Sequence, residues 1–218
     1  MAKRPQRKFA TPQEAFWAGE FGDDYIARNR SAGLRAGNLA LFSRILSSTN
    51  GVRSLIEYGA NVGMNLIALR HLLPEAKLAA VEINVRAATQ LRALGEIDVY
   101  NESMLGFTPP RRYDFVLSKG VLIHLHPDQL PRAYDLLHRG TARYICIAEY
   151  YNPTPVTMTY RGHAQRLFKR DFAGDMLDRF PDLALLNYGF SYHRDPVFPQ
   201  DDITWFLIEK QPRSARRA

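Results

Sequence analysis

Residues 57–65, Glu-Tyr-Gly-Ala-Asn-Val-Gly-Met-Asn, constrain the fold more than any other stretch of this 218-residue chain. An apolar run ending in Leu55 and Ile56 precedes them, and a run with helical spacing, Leu66, Ile67 and Leu69, follows. Glycines between a strand and a helix supply positive φ and let a ligand approach the backbone closely. A dinucleotide site needs G-x-G-x-x-G with a pyrophosphate on the helix N-terminus. Gly59, Asn61 and Gly63 do not fit that spacing. Asn tolerates a left-handed backbone better than other non-glycine residues, so Asn61 can stand where a third glycine would.

The rest of the chain repeats the strand–helix alternation. Strands are expected at 54–58, 77–83, near 98–100, at 113–120 and at 143–151, with helices through 65–73, 85–94 and from about 127 to 140. Such β-α alternation implies a parallel sheet with helices on both faces. Two further strand-like stretches, 183–196 and 201–210, have no room between them for a crossover helix and should pair antiparallel. The expected fold is α/β: a Rossmann-like, seven-stranded, mostly parallel sheet with a C-terminal antiparallel hairpin and an N-terminal helical lid. At 218 residues and 46% hydrophobic content, one core is expected. The single domain would divide into a lid over 9–50, a core over 51–210, and basic tails at 1–8 and 211–218.

This layout resembles the class I methyltransferases, and residues 57–63 resemble the acidic-x-Gly-x-Gly-x-Gly motif of S-adenosylmethionine (SAM) enzymes, with Asn61 replacing the middle glycine. The resemblance implies a cofactor site. Glu57 would meet the SAM ammonium, directly or through water. Gly59, Asn61 and Gly63 would form the turn. Glu82, nineteen residues past Gly63, would take both ribose hydroxyls, since a carboxylate suits a diol. Ser103 and Met104 would meet the adenine, and Lys119 with Gly120 would lie beneath the methionine part.

Four longer strings are similar to a narrower family, the pseudaminic acid biosynthesis-associated methylases of bacterial nonulosonic-sugar pathways. They span 16–29, 119–131, 147–174 and 188–210, and with the SAM motifs cover nearly all of 9–210. The resemblance implies a methyltransferase, with a sugar acid or nucleotide-activated sugar in bacterial polysaccharide biosynthesis as substrate.

Other constellations carry two readings each. Trp17, Phe21, Tyr25 and Arg28 share a helical face, either packed on the core or forming a lid in which Tyr25 and Arg28 reach the cofactor. The basic run 159–171 is either a solvated helix face or, at the carboxyl edge of the sheet, an anion site using Arg161, His163, Lys169 and Arg170. Tyr150, Tyr151 and Asn152, beside a proline-stiffened loop, are substrate-contact candidates. His124 is the general-base candidate, its alternative being a backbone-bonded histidine at a helix start. His124 and His126 lack a third ligand nearby, so no metal site is expected.

A pI near 9.6 and a net charge of +7 invite a nucleic-acid reading. Seven basic residues in the tails account for the whole excess, which leaves the body formally neutral. A nucleic-acid methyltransferase and a non-catalytic SAM-binding protein remain the rivals to a small-molecule enzyme. With no signal core, no membrane-length apolar run and one cysteine, Cys146, a cytoplasmic protein is expected.

Overall fold

The computed structural model describes residues 9–26 and 31–212. Successive strand residues point to opposite faces, and in the central strands both faces are apolar, as a sheet covered on two sides requires. β1 (Ser54–Tyr58) sends Leu55 to one face and Ile56 and Tyr58 to the other. β2 (Lys77–Val81), β4 (Tyr113–Lys119) and β5 (Thr141–Glu149) divide their residues likewise. The first face is covered by α3 (Ala32–Leu46), α4 (Met64–Leu72) and α5 (Val85–Ala93), and the second by α6 (Leu130–Gly140) and α7 (Phe172–Arg179).

With β3 (Ile97–Tyr100), β8 (Leu183–Ser191) and β9 (Ile203–Lys210), the sheet order is β3-β2-β1-β4-β5-β9-β8. The β1–β5 pairs are parallel, and β9 runs antiparallel to both β5 and β8. The order reverses between β1 and β4, and the crevice outside the carboxyl ends of such strands is where open α/β sheets bind ligands. No helix among the described residues is long and apolar enough to cross a membrane.

Three segments differ from expectation. The face shared by Trp17, Phe21 and Tyr25 is split over two short helices, α1 (Pro12–Ala18) and α2 (Glu20–Ile26), because Gly19 takes an extended conformation between them. Arg28 lies outside the described residues. The basic run is not a helix face but a hairpin of β6 (Val156–Tyr160) and β7 (His163–Lys169) in a two-stranded sheet of its own. Its two-residue turn, Arg161 and Gly162, has φ of 51° and 85°, the doubly positive pattern of a tight hairpin turn. α7 then begins at an Asp171 cap, whose carboxylate accepts from Gly174 N–H at 2.7 Å.

Candidate functional site

The β1–α4 turn is built on left-handed backbone at Gly59 (φ 75°), Asn61 (φ 47°) and Gly63 (φ 83°). A Cβ on Gly59 would lie 2.5 Å from Val121 Cγ2, and one on Gly63 2.7 Å from Leu91 Cδ2. Asn61 steadies itself by accepting Val62 N–H on Oδ1 at 2.7 Å. Gly63 caps α4 without any side chain, so the first turn of that helix opens toward the crevice.

Glu82 follows β2 and is buried. Asn61 N–H donates to its Oε2 at 2.7 Å and Asn84 N–H to its Oε1 at 2.7 Å. Each oxygen keeps a lone pair for a further donor. Burial raises its pKa, opposed by those amide bonds. Asn84 is also the N-cap of α5, accepting from Ala87 N–H, and donates through Nδ2 to Asp23 at 2.9 Å.

Gly59, Asn61, Glu82 and Asn84 line a cavity of about 500 Å³, whereas Gly63 shapes the turn without lining it. Ser103, Met104 and Leu105 close one end, and Trp17 and Tyr25 roof it. α1 is tied across the opening: Ser103 Oγ donates to Glu14, and Gln13 Nε2 donates to the Gln165 carbonyl at 3.2 Å. Lys119 lies on the floor, where burial lowers its pKa against the pull of Glu57. Its ammonium has no salt-bridge partner among the described residues. Glu57 stands behind the wall: Asn65, which does line the cavity, donates to its Oε1 at 2.6 Å, while Oε2 is buried without a partner among the described residues. Burial pushes its carboxyl up to about 7.

His124 ends a 3-10 turn, Leu122–His124, after β4. Its Nδ1 lies 2.7 Å from the Arg166 carbonyl, which requires the proton on Nδ1 and leaves Nε2 with the lone pair. The ring packs between Trp17 (4.6 Å) and Tyr160 (4.8 Å) and borders the cavity. Burial pushes its pKa down to about 4, so the imidazole is neutral at pH 7. The turn itself is clamped by Glu149, buried at the end of β5. Its Oε1 accepts from Ser118 Oγ (3.1 Å), Val121 N–H (3.0 Å) and Leu122 N–H (3.0 Å).

The expected substrate residues are only partly gathered. Tyr150 lines the cavity; Tyr151, Asn152, Arg161, His163, Lys169 and Arg170 do not. Lys169 Nζ sits 5.3 Å over the Tyr150 ring, and Arg161 lies 5.5 Å over Tyr160, so both cations stand one ring behind the wall. Arg170 is committed to Asp175 at 2.7 Å, and His163 packs edge-on against Phe16 and Phe21. Sequence reasoning missed Tyr160, Asn84 and Glu149, together with Asn38, Gln200 and Asp201 of the cavity wall. The cap position of Asn84, just ahead of an apolar helix, was the one local signal available. The others come from helix, strand and loop segments distant from one another in sequence.

No family model and no curated protein matches the chain. Among solved structures, it shares its fold with 1,6-didemethyltoxoflavin-N1-methyltransferase of Burkholderia thailandensis, bound to S-adenosylhomocysteine (TM-score 0.67, 13% identity, 95% of this chain and 93% of that one). Magnesium protoporphyrin IX methyltransferase of Synechocystis PCC 6803, also with S-adenosylhomocysteine, is comparable (0.67, 13%, 91% and 98%). So is a SAM-bound amino pentose methyltransferase of Micromonospora echinaspora (0.63, 11%, 88% and 96%). The fold is that of the SAM-dependent, class I methyltransferases.

Proposed function

We propose that this chain is a SAM-dependent methyltransferase acting on a small, anionic metabolite, a sugar acid or nucleotide-activated sugar. The observation that carries the cofactor assignment is Glu82, a buried carboxylate aimed into the cavity and held by two backbone amides beside the Gly59–Gly63 turn. The residues present fit the group. Glu82 would hold the ribose diol, Met104 and Ser103 the adenine, and Lys119 the carboxylate of the methionine part. Asn65, whose Nδ2 is held by Glu57, would offer its Oδ1 to the ammonium. The fold relatives named above, solved with SAM or its demethylated product, support the same reading.

SAM supplies an activated methyl group, so the protein's task is to align the acceptor and exclude water. α1 and α2 act as the lid, through the Glu14–Ser103 and Gln13–Gln165 ties. His124 Nε2 accepts a hydrogen bond from the acceptor hydroxyl or amine. With a pKa near 4 it is a weak base, so it orients the acceptor and receives the proton only as the new bond forms. With Lys119 given to the cofactor, Arg161 and Lys169, each one ring behind the cavity's aromatic wall, support an anionic acceptor. The resemblance to the pseudaminic acid-associated methylases points to a nonulosonic sugar. The lone buried Cys146 suits a reducing, cytoplasmic setting.

Labelled SAM with nonulosonic acids, their cytidylyl derivatives, nucleotide sugars and transfer RNA tests this reading. Label should enter an anionic sugar. Transfer to RNA alone, or to nothing while SAM still binds, would replace it by one of the two rival functions.

A further inference from the structure

Among the described residues β8 is the edge of the sheet, pairing with β9 on one side only. Natural edge strands are blunted by charges or proline, because a free ladder of N–H and C=O groups invites another strand. From Leu183 to Tyr192 the chain has neither. A register shift between Leu185 and Asn187 leaves Tyr188–Ser191 as regular strand.

The same strand is apolar where it meets solvent. Tyr188 is 65% exposed, Phe190 54% and Tyr192 45%; Tyr188 and Phe190 share a face of the strand, and the Tyr192 ring lies 6.1 Å from that of Phe190. Leu185 and Leu186 are exposed at its start, and Val197 and Phe198 in the loop after it. Tyr188 stacks on Phe206, which meets Tyr151, so the patch continues onto β9 and the end of β5. Leu185, Tyr188, Phe190 and Tyr192, with Tyr151 beside Phe206, amount to roughly 500 Å² of apolar surface per protomer, which the paired backbone and a polar rim extend toward the ~800 Å² each partner buries in a standard stable interface. Contiguous exposed apolar surface on that scale marks an interaction site.

We propose that this edge is the interface of a homodimer, in which β8 pairs antiparallel with β8 of a second copy. An uncharged strand is its own complement. A two-fold axis closes the assembly, covering both edges and leaving no further strand to recruit. Pairing centred in Tyr188–Tyr192 sets Phe190 opposite Phe190 of the second copy and runs the two sheets into one. The loop beyond Phe198 supplies Pro199, Gln200 and Asp201 to the cavity wall, so the interface borders both catalytic pockets. The dimer does not depend on the methyl-transfer reading.

Sedimentation velocity of the full chain at micromolar concentration should show a dimer. Tyr188→Lys combined with Phe190→Lys should give a monomer that keeps the parent's circular-dichroism spectrum, since both side chains are exposed, and that melts lower than the parent by the stability the dimer contributes. Cys146 is the chain's one cysteine and is buried, so Phe190→Cys offers a single accessible thiol, which a short bis-maleimide should join between copies. A monomer with the patch intact would overturn the proposal. So would a dimer that survives both lysines, or a Phe190→Cys dimer that the reagent fails to link.

Discussion

Gly59 and Asn61 both sit at positive φ, 75° and 47°, yet they should respond differently to substitution. Gly59→Ala adds a Cβ 2.5 Å from Val121 Cγ2 on top of roughly 1–2 kcal/mol of left-handed strain. Urea unfolding should register a loss of about 2 kcal/mol or more, and cofactor affinity should drop with it. Asn61→Gly exchanges strain relief for the lost Val62 bond, so stability should stay within about 1 kcal/mol. His124 is neutral above about pH 5, so the pH profile of kcat should show no limb near 6.5. His124→Ala should lower kcat steeply while affinity for S-adenosylhomocysteine survives. A limb near 6.5 would show that the ring titrates in the working range. The left-handed turn through Gly59 and Gly63, and the place of Glu82 after the next strand, were legible in the sequence because glycine spacing and strand ends are local signals. Glu149 was not: its three donors come from the end of β4 and the turn after it, 27 to 31 residues away, and nothing beside it in sequence announces them.

The β6–β7 hairpin shows why element type can escape pattern reading. Tyr160-Arg161-Gly162-His163 is a two-residue turn, but arginine holds the position where asparagine would advertise it. Dense charge then imitates a solvated helix face. The central strands were legible because their apolar runs are bounded by turn residues and separated by helical spacing. The strand placement of the basic side chains divides their roles. Arg170 pairs with Asp175 at the partly exposed start of α7, so Arg170→Ala should cost at most about 1 kcal/mol and leave KM unchanged. Lys169 backs the Tyr150 wall, so Lys169→Ala should raise KM for an anionic acceptor several-fold, with stability unaffected. Steady-state kinetics beside urea melts separate the two. Equal KM effects would mean the hairpin does not sort its cations in this way.

Across the whole molecule, buried titrating groups set opposing pH dependences. Glu149 is pushed up to about 7, against 4.5 in the unfolded chain, and Glu57 likewise. The fold keeps these protons up to about pH 7, so their contribution is largest below pH 4.5 and falls as pH rises to 7. His124 runs the other way: stability is lost as pH falls from 6.5 to 4, where the unfolded chain takes up the proton first. Glu149→Gln keeps an acceptor for the three donors and removes the charge. It should therefore gain roughly 1–3 kcal/mol at pH 8 and nothing at pH 4.5. A gain at both pH values would locate the effect in packing. The tails belong to this scale as well. With 1–8 and 211–218 removed the remaining chain is formally neutral, so methyl transfer should persist with a flat salt dependence, whereas a nucleic-acid enzyme would lose activity.

The central claim is that one cavity, floored by Lys119 and marked by Glu82, holds a sulfonium cofactor through its ribose. Calorimetric titration of S-adenosylhomocysteine into the folded protein and into Glu82→Ala tests it most directly. The expected result is one-site binding to the parent, weakened roughly 10–100-fold in the variant as hydrogen bonds to a charged group are lost. Absence of binding to the well-folded parent, or equal affinity in the two proteins, would contradict it.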